Sequence, residues 1–210
     1  GVNQYGDPVD ILESGYVRFY ELLGFIPKTI SNFTKNVEMI FNKKRDLLIV
    51  VGGGSLPPQL YDRPHEDELQ PNRDRMEEQV IHYCVAHGIP IIATCRGMQY
   101  INVMFGGKLW YHPKLPVNRT RGVDHQVWLV KEQRNIWVNN YHSDCIYEEG
   151  LASCFEPLAI DRENHVVEAY GSDEMKILAL QWHPERRFET ANAYEETRKI
   201  ILDFIQKYVK

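Results

Sequence analysis

The sequence has few cysteines, no long apolar run and no excess of positive charge. Only four of its 210 residues are cysteines, which is too few for a disulfide framework, so we expect reduced thiols and a cytoplasmic protein. Apolar stretches such as residues 46–51 are far shorter than the roughly 20 residues of a membrane-spanning helix, and the first residues show no basic-then-apolar leader. The formal charge of −5, without a run of Lys or Arg, argues against a nucleic acid or an acidic membrane surface as partner.

Sequence motifs for phosphate and metal binding are missing as well. Gly52, Gly53 and Gly54 are not followed by Gly-Lys-Ser/Thr and belong to no Gly-x-Gly-x-x-Gly pattern, so they predict an oxyanion loop or a plain turn. His82 and His87 lie five positions apart, not the four that place two ligands on one helical face. The sequence therefore predicts neither a metal nor a cofactor.

The composition predicts one compact α/β domain over residues 1–210. With 43% hydrophobic and 25% charged residues, the chain can bury a core. In its first part, short β-branched runs alternate with stretches of helical period, which is typical of parallel strands joined by crossover helices. The predicted elements are a helix over 11–23 ended by Gly24, a strand from Phe25, a buried strand over 46–51, a helix over 73–87 capped by Asn72 and Gly88, and a closing helix over 190–209.

After Trp110 the apolar residues recur with a period of two, which indicates antiparallel strands. These strands are predicted over residues 126–130, 155–161, 165–170 and 177–182. The fold class that follows is a three-layer α/β fold with a mostly parallel central sheet, flanking helices and additional antiparallel strands.

Cys95 lies in a predicted turn between a strand and a helix. Residues 90–94 form the short strand, and residues 95–105 have helical spacing, which is the arrangement of a nucleophile elbow. A side chain in this turn stands at the carboxyl end of the sheet, where open α/β sheets bind ligands, and the helix N-terminus favours its thiolate. The alternative is a buried cysteine that only packs in the core.

A histidine near the end of the chain is a candidate partner for this thiol. The strand over 177–182 is followed by His183-Pro184-Glu185, and side chains two positions apart in an extended backbone share a face. Glu185 would then fix the tautomer of His183, whose other ring nitrogen would face Cys95. The pattern predicts a Cys-His-Glu triad.

The residues around this predicted triad also carry a resemblance. The positions are Cys95-Arg96-Gly97-Met98-Gln99, Asn102, Gly106-Gly107 and Gln181-Trp182-His183-Pro184-Glu185. They resemble the class I glutamine amidotransferase superfamily, which implies its flavodoxin-like domain. Arg96, directly after the cysteine, is similar to the branch of γ-glutamyl amide hydrolases that includes γ-glutamyl-γ-aminobutyrate hydrolase. Ser55 and Ser143 depart from the family pattern, which leaves the substrate open.

The resemblance implies a role for each of several residues. Cys95 would attack the γ-carbonyl of a γ-glutamyl amide, and the backbone N–H groups of Gly53 and Arg96 would hold the oxyanion. His183, oriented by Glu185, would protonate the leaving amine and then activate water to hydrolyse the γ-glutamyl thioester. The family-based candidates for binding the glutamyl α-amino and α-carboxylate groups are Gln99, Asn140, Tyr141 and His142.

The leaving group has several interpretations. Candidate substrates are γ-glutamyl-CDP-amidate, as in capsule-modification pathways, and γ-glutamyl compounds of polyamines or γ-aminobutyrate. The alternatives are a glutaminase subunit that passes ammonia to a partner synthase, and a non-catalytic binding domain. In the hydrolase interpretation the partner is a small molecule, and a homodimer is compatible with the sequence.

Two clusters of charged residues have interpretations separate from that of the triad. Lys108, Lys114, Arg119 and Arg121 predict either a solvated loop or a contact to an anionic leaving group such as a nucleotide phosphate. Arg73, Asp74 and Glu77 predict a structural ion-pair network at a helix start.

Overall fold

The protein folds as a mixed β-sheet between two layers of helices. The computed structural model describes residues 2–42, 45–61, 69–111 and 121–209. Within these residues the strands are β1 (Leu48–Val50), β2 (Ile91–Thr94), β3 (His125–Leu129), β4 (Arg134–Val138), β5 (Glu156–Asp161), β6 (Val166–Ser172) and β7 (Ile177–Leu180). The α-helices are α1 (Ser14–Leu22), α2 (Pro71–His87), α3 (Arg96–Met104) and α4 (Ala193–Tyr208). The predicted three-layer α/β class is confirmed.

The strand order is β1-β2-β7-β6-β5-β3-β4. β1, β2 and β7 pair in parallel, whereas the β7–β6, β6–β5, β5–β3 and β3–β4 pairs are antiparallel. The expectation of a mostly parallel sheet is therefore wrong, because parallel pairing is confined to three strands. The physical reason is the short connections after residue 129: the few residues between β3 and β4, or β6 and β7, can join only antiparallel neighbours.

Each face of the sheet packs against a different pair of helices. On one face α2 and α3 cover Ile91 and Ala93 of β2. On the other face α1 and α4 cover Ile92 and the strands of the antiparallel part. Because β2 and β7 are covered on both faces, all their residues are buried, as expected of central strands. None of the helices in the described ranges combines the length and hydrophobicity that a membrane span requires.

The ends of the elements correct two predictions. Gly88 caps α2 in the left-handed region at φ 66°, as predicted, but the helix begins at Pro71, so Asn72 lies inside it and does not cap it. Proline suits this first helical position because its missing N–H would have no helical partner there. The strand expected from Phe25 is also wrong, since residues 25–30 form no strand; Pro27 offers no N–H to a ladder.

Candidate active site

Cys95 occupies the sharp turn between β2 and α3. Its backbone lies at φ 51° and ψ −109°, outside the regions that side-chain-bearing residues usually adopt. Two backbone hydrogen bonds hold this conformation: Cys95 N donates to Leu180 O of β7 at 2.8 Å, and Gln99 N donates to Cys95 O at 3.0 Å. The strand–turn–helix setting predicted for the nucleophile elbow is thus present, and Cys95 as a whole residue is 8% exposed.

The structure brings Cys95, His183 and Glu185 together. His183 follows the end of β7, which neighbours β2, and its ring interacts electrostatically with the Cys95 thiol. His183 Nδ1 lies 2.6 Å from Glu185 Oε1, and both side chains are almost fully buried. The local reason differs from the predicted one, because Glu185 reaches the imidazole from a turn rather than from an extended strand.

The electrostatics of the pair favour a thiolate and an imidazolium. Burial alone would raise the pKa of the Cys95 thiol, but the hydrogen bond and charge of His183, followed by the charge of His142, leave it below its usual value. Burial would likewise lower the pKa of His183, yet its contacts with Cys95 and Glu185 raise it to about 9. The site therefore favours the charged forms of both reacting groups.

Two residues to which the sequence analysis gave no role hold His183 in place. The side-chain amide of Asn139 donates to His183 O at 2.8 Å and accepts from His183 N at 2.9 Å. Tyr16 Oη lies 3.4 Å from His183 Nδ1 and accepts a hydrogen bond from Gly52 N at 2.8 Å. Only glycine fits at position 52, because an added Cβ would lie 2.8 Å from His183 Cε1 and 2.9 Å from Tyr16 Oη.

The two predicted oxyanion donors come from different elements, and an added Cβ on Gly53 would lie 3.2 Å from Cδ of Arg96. The backbone N–H of Arg96 directly follows Cys95 at the start of α3. Gly53 follows β1, where Arg73 donates to Val51 O at 2.6 Å and to Gly52 O at 3.0 Å. Gly52 O and the N–H of Gly53 belong to the same peptide group. Because C=O and N–H of a trans peptide point in opposite directions, the hydrogen bond from Arg73 to Gly52 O leaves the N–H of Gly53 pointing away from Arg73.

The predicted ion-pair network at the start of α2 is confirmed, and it reaches the elbow. The guanidinium of Arg96 donates to Asp74 and, at 2.6 Å, to Glu77, while Arg73 Nε donates to Glu77 at 2.6 Å. The Arg96 side chain, 1% exposed, therefore points toward α2, and only its backbone adjoins the thiol. Through Arg73 the same network fixes the Gly52 carbonyl.

The four candidate substrate-binding residues fall into two pairs. The Tyr141 ring packs edge-on against His183 at a centroid distance of 5.6 Å, and the charge of His142 acts on Cys95. Gln99 is buried, and its side chain donates to Asp144 O at 3.0 Å and to Gln181 Oε1 at 3.2 Å. Asn140 is also buried, with an Nδ2 that finds no hydrogen-bond partner among the described residues. Their substrate contacts remain predictions.

The basic cluster is only partly described. Lys114 and Arg119 lie outside the described residues, and Lys108 and Arg121 are exposed. Arg121 precedes Gly122, whose backbone N–H donates to Asn140 O at 2.6 Å, so it adjoins the segment that contains Tyr141.

A further basic residue beside the site is Arg186, which the sequence analysis did not select. Its guanidinium lies 4.5 Å from the centroid of the Tyr141 ring and 2.9 Å from Glu13 Oε1. The only sequence signal for it is its position directly after Glu185.

Fold and site together define a class I glutamine amidotransferase-like protein of the γ-glutamyl hydrolase branch. The chain belongs to the peptidase C26 family, whose profile matches residues 3–185. It is 30% identical over 164 residues to the glutamine amidotransferase-like protein YvdE of Lactococcus lactis, covering 69% of this chain and 68% of that protein. It is 26% identical over 175 residues to the γ-glutamyl-γ-aminobutyrate hydrolase PuuD of Escherichia coli, covering 71% and 67%.

A solved structure supports the fold. A Thermoplasma acidophilum protein described as a subunit of GMP synthase superposes with a TM-score of 0.64 at 20% identity, covering 92% of this chain and 88% of that one. The homologues support a hydrolase that acts on amide bonds.

Proposed function

We propose that the protein hydrolyses a γ-glutamyl amide through a γ-glutamyl thioester on Cys95. The observation that carries this proposal is the strained elbow at Cys95, whose thiol interacts with an imidazole that Glu185 holds at 2.6 Å. Membership of the peptidase C26 family and similarity to γ-glutamyl-γ-aminobutyrate hydrolases support the same reaction class.

The proposed reaction uses the same few groups in two steps. The Cys95 thiolate attacks the γ-carbonyl carbon, and the N–H groups of Gly53 and Arg96 stabilise the oxyanion, a contribution of about 3 kcal/mol for one such donor. The imidazolium of His183 protonates the departing nitrogen, so that the C–N bond breaks and the amine leaves. Water then attacks the thioester, gives its proton to His183 and releases glutamate, and Cys95 leaves as the thiolate.

The charges around Tyr141 favour a substrate with an anionic leaving group. Arg186 lies over the Tyr141 ring, and Arg121 adjoins the same segment. The exposed Arg121 repels a protonated polyamine and attracts a phosphate or carboxylate, and Arg186 does the same when such an anion displaces Glu13 from it. Among the candidate substrates this favours γ-glutamyl-CDP-amidate and γ-glutamyl-γ-aminobutyrate over polyamine compounds.

The test is glutamate release by the purified protein alone from a panel of γ-glutamyl compounds with anionic, neutral and cationic leaving groups. We expect the anionic substrates to be cleaved, and Cys95→Ala to bind them but to lose turnover by at least about a thousandfold. Arg186→Gln serves as the selectivity variant and should lower kcat/KM for the anionic substrates while sparing the neutral ones.

Two results would contradict the proposal. Near-normal turnover by Cys95→Ala would show that Cys95 is not the nucleophile. Glutamine hydrolysis that appears only after a synthase partner is added would instead establish the glutaminase alternative.

A further inference from the structure

We propose that Glu168 is a positioning residue for Cys95. It holds His142 as an imidazolium whose positive charge acts on the Cys95 thiolate, in addition to the charge of His183. This inference rests on the proposed role of Cys95 as the nucleophile and adds a second, buried cation to its surroundings.

The contacts of His142 define its protonation. Nδ1 lies 3.0 Å from Asp144 O, and because a carbonyl oxygen only accepts hydrogen bonds, Nδ1 carries a proton. Nε2 lies 3.4 Å from Glu168 Oε1, and an ionised carboxylate is likewise only an acceptor. With both ring nitrogens facing acceptors, His142 is an imidazolium.

The orientation of His142 is coupled to the nucleophile through α3. The carbonyl of Asp144 that contacts His142 Nδ1 also accepts a hydrogen bond from Gln99 Nε2 at 3.0 Å. Gln99 lies one turn after Cys95, and its N–H donates to Cys95 O at 3.0 Å. The helix that starts at the nucleophile thus fixes the carbonyl that orients the imidazolium.

Glu168 lies on β6 with 2% of its surface exposed, between two imidazoles. His125 Nε2 and His142 Nε2 each lie 3.4 Å from the same oxygen, Oε1. Burial favours the neutral acid, but the charges of His142 and His125 outweigh it and hold the pKa of Glu168 below its usual range. The carboxylate is therefore charged at neutral pH and supports the charge of His142, whose pKa its contact raises against the effect of burial.

The titratable groups facing Cys95 come from several elements. His183 and Glu185 follow β7, Tyr16 lies on α1, and His142 lies between β4 and β5. Of these, only the two histidines favour the thiolate. An opposite charge at close range typically lowers a pKa by about one unit or more, so loss of the His142 charge would cut the thiolate fraction about tenfold at pH values below the pKa.

The test is the pH dependence of Cys95 alkylation by iodoacetamide, which needs no substrate. Burial raises the pKa of Cys84 and Cys145 to about 12, and the exposed Cys154 is replaced by serine throughout, so the signal reports Cys95. In Glu168→Gln we expect the midpoint about one pH unit higher and the rate at pH 6.5 about tenfold lower, with the rates converging at high pH. Glu168→Asp, which keeps the charge, should restore most of the rate.

Three further variants separate positioning from folding. His142→Gln should reproduce the shift, and the double variant with Glu168→Gln should shift no further, because Glu168 acts through His142. His125→Asn should keep the wild-type midpoint, since the Glu168–His142 pair remains. Circular dichroism checks the fold of each variant; if Glu168→Gln does not fold, His142→Gln decides.

Several outcomes would overturn the inference. They are an unchanged midpoint in a folded Glu168→Gln or His142→Gln protein, or additive shifts in the double variant. His125, Asp161 and Glu168 also offer donor atoms within 4.8 Å of one another, so a shift produced by EDTA in the wild-type protein would assign the effect to a cation. A confirmed shift in a protein that cleaves no γ-glutamyl amide would overturn only the proposed function.

Discussion

At the scale of single residues, the residues of the site differ in how well the sequence predicts them. Cys95 was predictable because a cysteine between a strand and a helix leaves a clear sequence pattern. Asn139 and Tyr16 were not predictable as supports, because their contacts with His183 span 44 and 167 positions and depend on how the sheet and α1 pack. Glu168 leaves no signal at all, since a carboxylate in an alternating strand normally indicates a solvent-facing side chain.

Replacing Gly52 tests how tightly the site is packed. In Gly52→Ala the new methyl group would press on His183 Cε1 and Tyr16 Oη, so the imidazole must move away from Cys95. We expect kcat to fall at least about a hundredfold, because misplacing a catalytic group by an ångström costs about that much. The measurement is steady-state hydrolysis of the best substrate of the panel.

Gly106→Ala is the matched control for this variant. Gly106 has φ 89° with nothing within 4 Å of an added Cβ, so alanine there strains the backbone without touching the site. It should lower stability by about 1 kcal/mol and leave kcat nearly unchanged. A Gly52→Ala protein with wild-type kcat would show that the added methyl group does not displace His183.

At the scale of elements, the sequence predicted those with a strong local signal. The helical period of α2 and its cap at Gly88 are local features, and both are present. β4 was missed because its outward residues include Trp137, which is 38% exposed and blurs the alternation with the buried Ile136 and Val138. The direction of pairing is not local, so the extent of antiparallel sheet was underestimated.

The ion-pair network that joins α2 to the elbow predicts a large effect on stability. Glu77 pairs with both Arg73 and Arg96, and its side chain is 9% exposed. In Glu77→Gln the buried Arg96 keeps Asp74 as a charged partner but loses Glu77, as does the partly buried Arg73, and we expect the free energy of unfolding to fall by about 3 kcal/mol. Urea denaturation measures this value.

Asp203→Asn provides the matched control at the protein surface. Asp203 pairs with Lys199 at 2.6 Å, but the two side chains are 59% and 67% exposed. Such an exposed pair contributes little to the free energy of unfolding, because solvent screens it. Equal losses in the two variants would show that the buried network is no more stabilising than a surface pair.

At the scale of the whole molecule, the buried Glu168 makes stability depend on pH. Its pKa is lower in the folded protein than the ordinary glutamate value of 4.5, so its contribution is complete above about pH 4.5 and is lost as the pH falls toward the folded value. The difference in unfolding free energy between the wild-type protein and Glu168→Gln should grow from pH 7 to 5, because Glu168 supports the charge of His142 only in the wild-type protein, and it should be largest near pH 5. Below pH 4 this difference in unfolding free energy should become smaller by about 1.4 kcal/mol per pH unit.

Urea denaturation at a series of pH values from 7 to 3.5 measures this difference. Asp173→Asn is a suitable comparison, because Asp173 is exposed and its pKa is lowered mainly by its surface contact with Lys207. A gap between wild type and Glu168→Gln that stays constant down to pH 3.5 would show that Glu168 is not held charged by its neighbours.

The hydrogen bond from Cys95 N to Leu180 O has a consequence for how proteins of this kind evolve. Cys95 follows β2 and His183 follows β7, and these two strands are hydrogen-bonded neighbours. Movement of the surrounding loops therefore changes which molecules can enter the site but changes the distance between the Cys95 sulfur and the His183 imidazole very little. Substitutions near Tyr141 and Arg186 can therefore retune the choice of substrate while the bond-breaking chemistry is inherited intact.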